Sequence, residues 1–328
     1  EKGLSDDYIY SIVADKSGNV WAGTDNGISI CSIKKGYPDV KVVSVNEGLT
    51  DFIVRTLKAD ENGRIYIGMH EKGITSYDPV KNKFNKIPGF ENWSSGPVND
   101  ISVNQESVWI ATSGNGLLEY NFTSGSIEPI HSPANINLNR INAMLQDLEG
   151  NTWLISNKEI LQSFGNRLSF MNSASEANFA NIHAIHCDDE DNIWFANDKG
   201  IHYFNPDIRD SEKELNSFSL NFLKGETKIM SLFRDQFGYV WIGTFGQGLI
   251  RLDPESGRYV QISEKQGLLN GNVLSIKGTK DEIWFGTLGG AFRCKIDKRF
   301  ARINYIPTFI NYGQPEGLSN NYIYNIFI

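Results

Sequence analysis

The sequence contains no run of about 18 apolar residues, the length a membrane-spanning helix needs, so no transmembrane helix is expected. Cysteine is scarce: Cys31, Cys187 and Cys294 lie far apart and are odd in number. That excludes a disulfide framework and the paired thiols of a zinc site, and each reads as a small buried hydrophobe. There is no basic excess either, with 31 Lys and Arg against 39 Asp and Glu and a net charge of −8. The carboxylates are scattered through turns, which argues against nucleic acid or an anionic lipid surface as partner. A basic n-region followed by an apolar h-region is missing; the chain opens at Glu1-Lys2-Gly3-Leu4-Ser5 directly into a repeat, so any targeting segment is expected to have been removed or never present. No Gly-x-Ser-x-Gly elbow or Walker loop occurs, and Ser113-Gly114-Asn115-Gly116 falls in a hairpin, not before a helix. His183 and His186, three apart on one strand, point to opposite faces, which speaks against joint metal ligation. No cofactor, no metal and no catalytic residue is expected.

What the sequence does contain is one pattern, repeated seven times. Aligned on Trp21, Tyr66, Trp109, Trp153, Trp194, Trp241 and Trp284, the successive spacings are 45, 43, 44, 41, 47 and 43. Nine residues before most anchors is an apolar residue, as at Ile12, Leu57 and Leu232, and three earlier another, as at Ile9, Val54 and Ile229. Six residues before five of them is Asp15, Asp60, Asp147, Asp188 or Asp235, and three before is Gly18, Gly63, Asp191 or a like residue, a tight-turn pair. The repeats around Trp109 and Trp284 lack that pair, so their turns must differ. After the anchor, Trp21-Ala22-Gly23-Thr24 and Trp241-Ile242-Gly243-Thr244 read as a second strand whose small residue admits a neighbouring backbone. A third strand such as 248–254 and a weaker fourth such as 258–262 complete the unit. Four short strands in about 44 residues, repeated, predict an all-β fold: a seven-bladed β-propeller of four-stranded antiparallel blades. The expected blades are about 4–48, 49–96, 97–135, 136–178, 179–225, 226–268 and 269–316. The anchors are assigned to packing between blades, each large ring burying about 150–250 Å².

The consensus Gly-Leu-Ser-x-x-x-Ile/Val-x-x-Ile-x-x-Asp-x-x-Gly-x-Val/Ile-Trp-x-Gly-Thr-x-x-Gly-Ile/Leu, nearly complete over residues 3–28, resembles the two-component regulator propeller repeat of Bacteroides-type hybrid two-component systems. The fourth repeat departs from it, with Trp153-Leu154-Ile155-Ser156 and Glu159 where the turn glycine belongs. Sialidase Asp boxes place the Asp five residues before the Trp, and the Gly-His and Trp-Asp pairs of WD repeats are absent. The resemblance implies the periplasmic sensor region of a histidine kinase that is anchored in the inner membrane, with an oligosaccharide as signal and a second propeller and a β-sandwich in the same parent chain. Gly317-Leu318-Ser319-Asn320-Asn321-Tyr322-Ile323-Tyr324 repeats Gly3-Leu4-Ser5-Asp6-Asp7-Tyr8-Ile9-Tyr10, so 317–328 is expected to be the first strand of an eighth repeat and the start of a second propeller.

Ligand contacts are expected where segments leading into the first strands meet the loops between second and third strands. These are Asp7, Phe52, Arg140, Asn181, Lys228 and Asn272 with Asp25, His70, Asn115, Lys199, Phe245 and Gln247, polar groups beside aromatics that suit a sugar. Trp93, the one tryptophan outside the anchor column, is a candidate stacking platform or a residue that packs on its own blade. Two rival readings stay open: a scaffold whose faces serve interdomain or homodimer contact, and a polysaccharide lyase or hydrolase built from converging carboxylates.

Overall fold

Asp15 shows how the repeat folds. One carboxylate oxygen accepts from the backbone N–H groups of Ser17 and Asn19, and Gly18 at φ 79° closes the turn. The other accepts from the Asn19 amide at 2.7 Å and from the Trp21 indole at 3.0 Å. Turn and anchor are therefore one unit. The same indole bond recurs at Trp153 to Asp147 (2.9 Å), Trp194 to Asp188 (2.8 Å) and Trp241 to Asp235 (2.7 Å). The two repeats without the Asp–Gly pair turn differently, as expected: the Asn104 side chain and the Thr279 hydroxyl accept from the turn amides. Their indoles bond instead to Glu119 and Glu282.

The computed structural model describes residues 3–326 apart from 35–36, 91–92, 94–95, 131–140, 148–150, 157–159, 165–166, 171–181, 198–199, 206–215, 220–226 and 319. Its strands form seven four-stranded antiparallel sheets, each in sequential order. The fold is a seven-bladed β-propeller. The first unit, Glu1–Met171, holds four blades, whose first strands are Ile9–Ala14, Val54–Ala59, Val98–Val103 and Ile141–Gln146. The second, Asn172–Ile328, holds three, with first strands Ala184–Cys187, Ile229–Arg234 and Val273–Gly278. Within each unit the first strands of successive blades are neighbours.

Six anchors are buried, from Trp153 at 0% exposure to Trp21 and Trp109 at 2%. Trp241 packs on Phe285 and Phe300 of the next blade, with ring centroids 5.6 and 6.1 Å apart. Trp284 is only half-buried; the Tyr312 ring stacks on it, 5.2 Å between centroids, and the Arg293 guanidinium lies 5.3 Å from its ring. The small residue after the anchor does admit a neighbour. A Cβ added to Gly23 would stand 2.7 Å from Val54, and one on Gly68 the same distance from Val98. Cys294 is buried, with its thiol pushed up to about 12 by burial, whereas Cys31 and Cys187 are half-buried on strands whose outer faces are open. Glu159 lies outside the described residues.

The terminal segment repeats one detail of this packing. Ile323 presents its carbonyl 2.8 Å from a Cβ on Gly286, as Val273 does to Gly243, and its N–H donates to Thr287. It stands against the seventh blade as the start of each first strand stands against the blade before it.

The Asp15 lock sets a pH dependence. Burial alone would raise this carboxyl, but the donors Asn19 and Trp21 hold it below its ordinary value. A depressed folded pKa gives stability that is present above the unfolded value of about 3.9 and lost as pH falls through the folded one. The stability difference between the protein and its Asp15→Asn variant should thus be constant from pH 7 to pH 5 and shrink below about pH 4. Urea unfolding at stepped pH reads this, and a difference that persists at pH 2 contradicts it.

Candidate functional site

Six of the seven first strands carry a one-residue register shift near their start, that of blade 5 being the exception. In blade 1 it falls between Ile9 and Ser11, in blade 2 between Val54 and Thr56, and in blade 3 opposite Ala111 and Thr112. It recurs between Ile141 and Ala143, Ile229 and Ser231, and Val273 and Ser275. The extra residue of such a bulge leaves the ladder and re-aims its side chain. Because the first strands are neighbours, Tyr10, Arg55, Asn99 and Asn142 of the first unit form a row. Met230 and Leu274 hold the equivalent places in the second.

Two neighbouring side chains of the first-unit row touch. The Arg55 guanidinium lies over the Tyr10 ring, 4.4 Å from its centroid, and the Tyr10 hydroxyl donates to Asp25 at 2.9 Å. Burial, then the bond to Asp25 and its charge, raises the Tyr10 phenol, so it remains a donor. The Asn99 amide donates to the Ile141 carbonyl at 2.7 Å and its oxygen accepts from the Ser113 hydroxyl at 2.8 Å. Beside them Tyr8 and Phe52 are about half exposed. A cation, a carboxylate, a phenol, an amide and two open rings on one row can bond hydroxyls and cover an apolar ring face. No cluster of three His, Cys, Asp or Glu side chains fit for a metal is found among the described residues.

The residues expected from sequence are placed as follows. Within a blade, lead-in segment and second-to-third loop meet as anticipated: Phe245 N–H bonds Lys228 O at 2.9 Å, and His70 N–H bonds Ile53 O at 3.0 Å. Phe52 and Phe245 are half exposed, and Asp7, Asn115 and Lys228 are exposed. His70 is half-buried, its Nδ1 having no partner. Asn272 is tied to Asn270 by both its backbone and side-chain N–H groups, and the Gln247 amide bonds Thr227. Arg140, Asn181 and Lys199 lie outside the described residues. Trp93 packs on its own blade, the second of its two readings: its indole donates to the Gly96 carbonyl at 2.8 Å and its half-buried ring leans on Phe90, 5.0 Å between centroids. Tyr10, Arg55 and Asn99 were not foreseen, since the bulge that singles them out leaves no mark in residue type. His183 is exposed, while burial foremost, with Lys277 adding to it, lowers His186 to about 4 and keeps it neutral.

Residues 3–26 and 224–246 match the family model of the two component regulator propeller. Those two stretches resemble two-component regulator propeller repeats. No curated protein matches it. Among solved structures, PorZ, a surface component of the type-IX secretion system of Porphyromonas gingivalis, is 13% identical with a TM-score of 0.64, over 95% of this chain and 56% of that one. Virginiamycin B lyase from Staphylococcus aureus is 15% identical with a TM-score of 0.62, over 86% and 92%. The extracellular domain of the hybrid two component system BT4673 from B. thetaiotaomicron is 17% identical with a TM-score of 0.42, over 98% and 50%. At such identities the likeness to PorZ and the lyase is one of fold. The chain spans about half the length of the B. thetaiotaomicron domain.

Proposed function

We propose that this regulator propeller belongs to the periplasmic sensor region of a hybrid two-component system, where it takes part in reading an oligosaccharide and passing the signal to a histidine kinase. The observation that carries the reading is the pair of regulator-propeller repeats at 3–26 and 224–246. The Tyr10–Arg55–Asn99 row is the surface on which the sugar is met: hydroxyls bond Asp25, Arg55 and Asn99, and a ring face lies on Tyr8 or Phe52. The role is binding rather than turnover.

Calorimetric titration with plant and host glycan fragments tests this. One fragment should bind, release no product, and lose about tenfold or more in affinity with Arg55→Ala, the usual loss for a hydrogen bond to a charged group. Failure of every fragment to bind, or equal affinity in Arg55→Ala, would refute the reading.

A further inference from the structure

Six of the seven anchors are tryptophans, and all six indole N–H groups have an acceptor. The seventh is Tyr66, 1% exposed; the Arg64 guanidinium, itself a donor, acts on its buried hydroxyl, which finds no acceptor for its own proton. Buried polar atoms in folded proteins are nearly always satisfied, so this one calls for a ligand or water. The residue paired with the anchor on the third strand differs as well. Trp194 faces Tyr203, Trp241 faces Arg251 and Trp284 faces Arg293, each lying on the indole. Tyr66 faces Ser76.

Tyr66 and Ser76 line a cleft of about 310 Å³ between blades 2 and 3, both in the first unit. That is at the lower end of the size of small-molecule sites. Tyr66 and Ser76 form its floor, Tyr120 and Phe122 a wall, and Arg64, Lys81 and Lys86 its rim. The one carboxylate in the lining, Asp78, is occupied by the backbone N–H groups of Val80 and Lys81 at 3.0 and 3.1 Å. In a chain of net charge −8 the cleft is a local positive site. Burial raises the Tyr66 phenol, which keeps its proton to donate.

We propose that this cleft binds a hydroxylated ring carboxylate, of which a single hexuronic acid is the simplest case. The carboxylate meets Arg64, whose planar fork fits it. The Tyr66 hydroxyl donates to a ligand oxygen, Ser76 and Asn85 bond ring hydroxyls, and the apolar ring face lies on Tyr120. The cleft is distinct from the first-strand row, and the proposal does not rest on the sensing role.

The test titrates the intact chain with galacturonate and glucuronate, with galactose and inorganic phosphate as controls. Uronate is expected to bind at least tenfold more tightly than galactose or phosphate. Arg64→Gln should weaken it tenfold or more and Tyr66→Phe about fivefold, while Arg55→Ala leaves it unchanged. Tyr66→Trp, which installs the indole of the other six blades six residues after Asp60, removes the hydroxyl and should weaken binding at least as much as Tyr66→Phe without lowering the melting temperature. If Tyr66→Trp fails to fold, Arg64→Gln, a change on an exposed residue, still decides. Phosphate binding as tightly as uronate, uronate affinity surviving Arg64→Gln, or undiminished binding in a folded Tyr66→Trp would each overturn the proposal. Loss of uronate binding in Arg55→Ala but not in Arg64→Gln would move the ligand to the first-strand row and overturn only this site.

Discussion

Replacing Arg251 with methionine is expected to lower the unfolding free energy by about 3–5 kcal/mol, the cost of leaving a buried charge without its partner. Arg251 and Asp235 are both fully buried side chains, 3.3 Å apart. The guanidinium also bonds the Phe300 carbonyl, reaches the Arg302 carbonyl at 3.2 Å and lies over the Tyr239 ring at 4.2 Å. Its place in the repeat explains why it is there. In blades 1, 4 and 5 an asparagine four residues after the aspartate supplies a side-chain donor: Asn19 at 2.7 Å, Asn151 at 3.0 Å and Asn192 at 3.0 Å. In blade 6 that position is Tyr239, whose hydroxyl points away to the Ala301 carbonyl. Arg251 provides the missing donor from the adjacent strand and at the same time ties blade 6 to the 298–301 turn of blade 7. Tyr239→Asn placed in the Arg251→Met background should therefore restore part of the loss, although alone it gains nothing. A double-mutant cycle by urea unfolding measures this coupling. Additive single effects would show that Asp235 is not the point through which the two residues act.

The blades were legible because one large ring every 41 to 47 residues has a single packing role, and a repeated role makes a repeated letter. The Asp–Trp lock was half legible. Aspartate and glycine announced a turn, but nothing in the letters showed that the second carboxylate oxygen of Asp15 serves Trp21. The row of the candidate site was not legible at all. Tyr10, Arg55, Asn99, Asn142, Met230 and Leu274 share no chemistry; what they share is a slip of one residue in strand pairing, a property of two strands together. Trp93 could be read two ways from the letters, as a platform or as a ring packed on its own blade; the Gly96 carbonyl takes its N–H and Phe90 one side of its ring. Tyr66 was visible from the start as the one anchor that is not tryptophan, but that its buried hydroxyl lacks an acceptor and faces a cleft is a property of the packing, not of the letters.

Gly243→Ala is expected to destabilise by about 1–3 kcal/mol, the range for inserting a methyl into a packed interior, and Gly243→Val by more. The direction matters because alanine in a strand is intrinsically better than glycine by roughly 0.5–1 kcal/mol, so a loss can come only from crowding. A Cβ at this position would meet the Ser231 hydroxyl and, at 2.8 Å, the Val273 carbonyl of the next blade. Blades 3 and 5 carry Ala111 and Ala196 in the corresponding place, so the fold accepts a methyl where the neighbouring strand has room. Gly68 is crowded by side chains instead, those of Thr56 and Val98. The two sites should respond differently to rescue. Val98→Ala combined with Thr56→Ser should return much of what Gly68→Ala loses, because together they remove the side-chain methyls in the way. Val273→Ala should return little of the loss at Gly243, because a backbone carbonyl remains. Gly3→Ala, with nothing within 4 Å, serves as the neutral control. Thermal and urea unfolding of these variants decides the matter: a neutral Gly243→Ala, or equal rescue at the two sites, would mean that the blades are not held at the backbone distance that these glycines set.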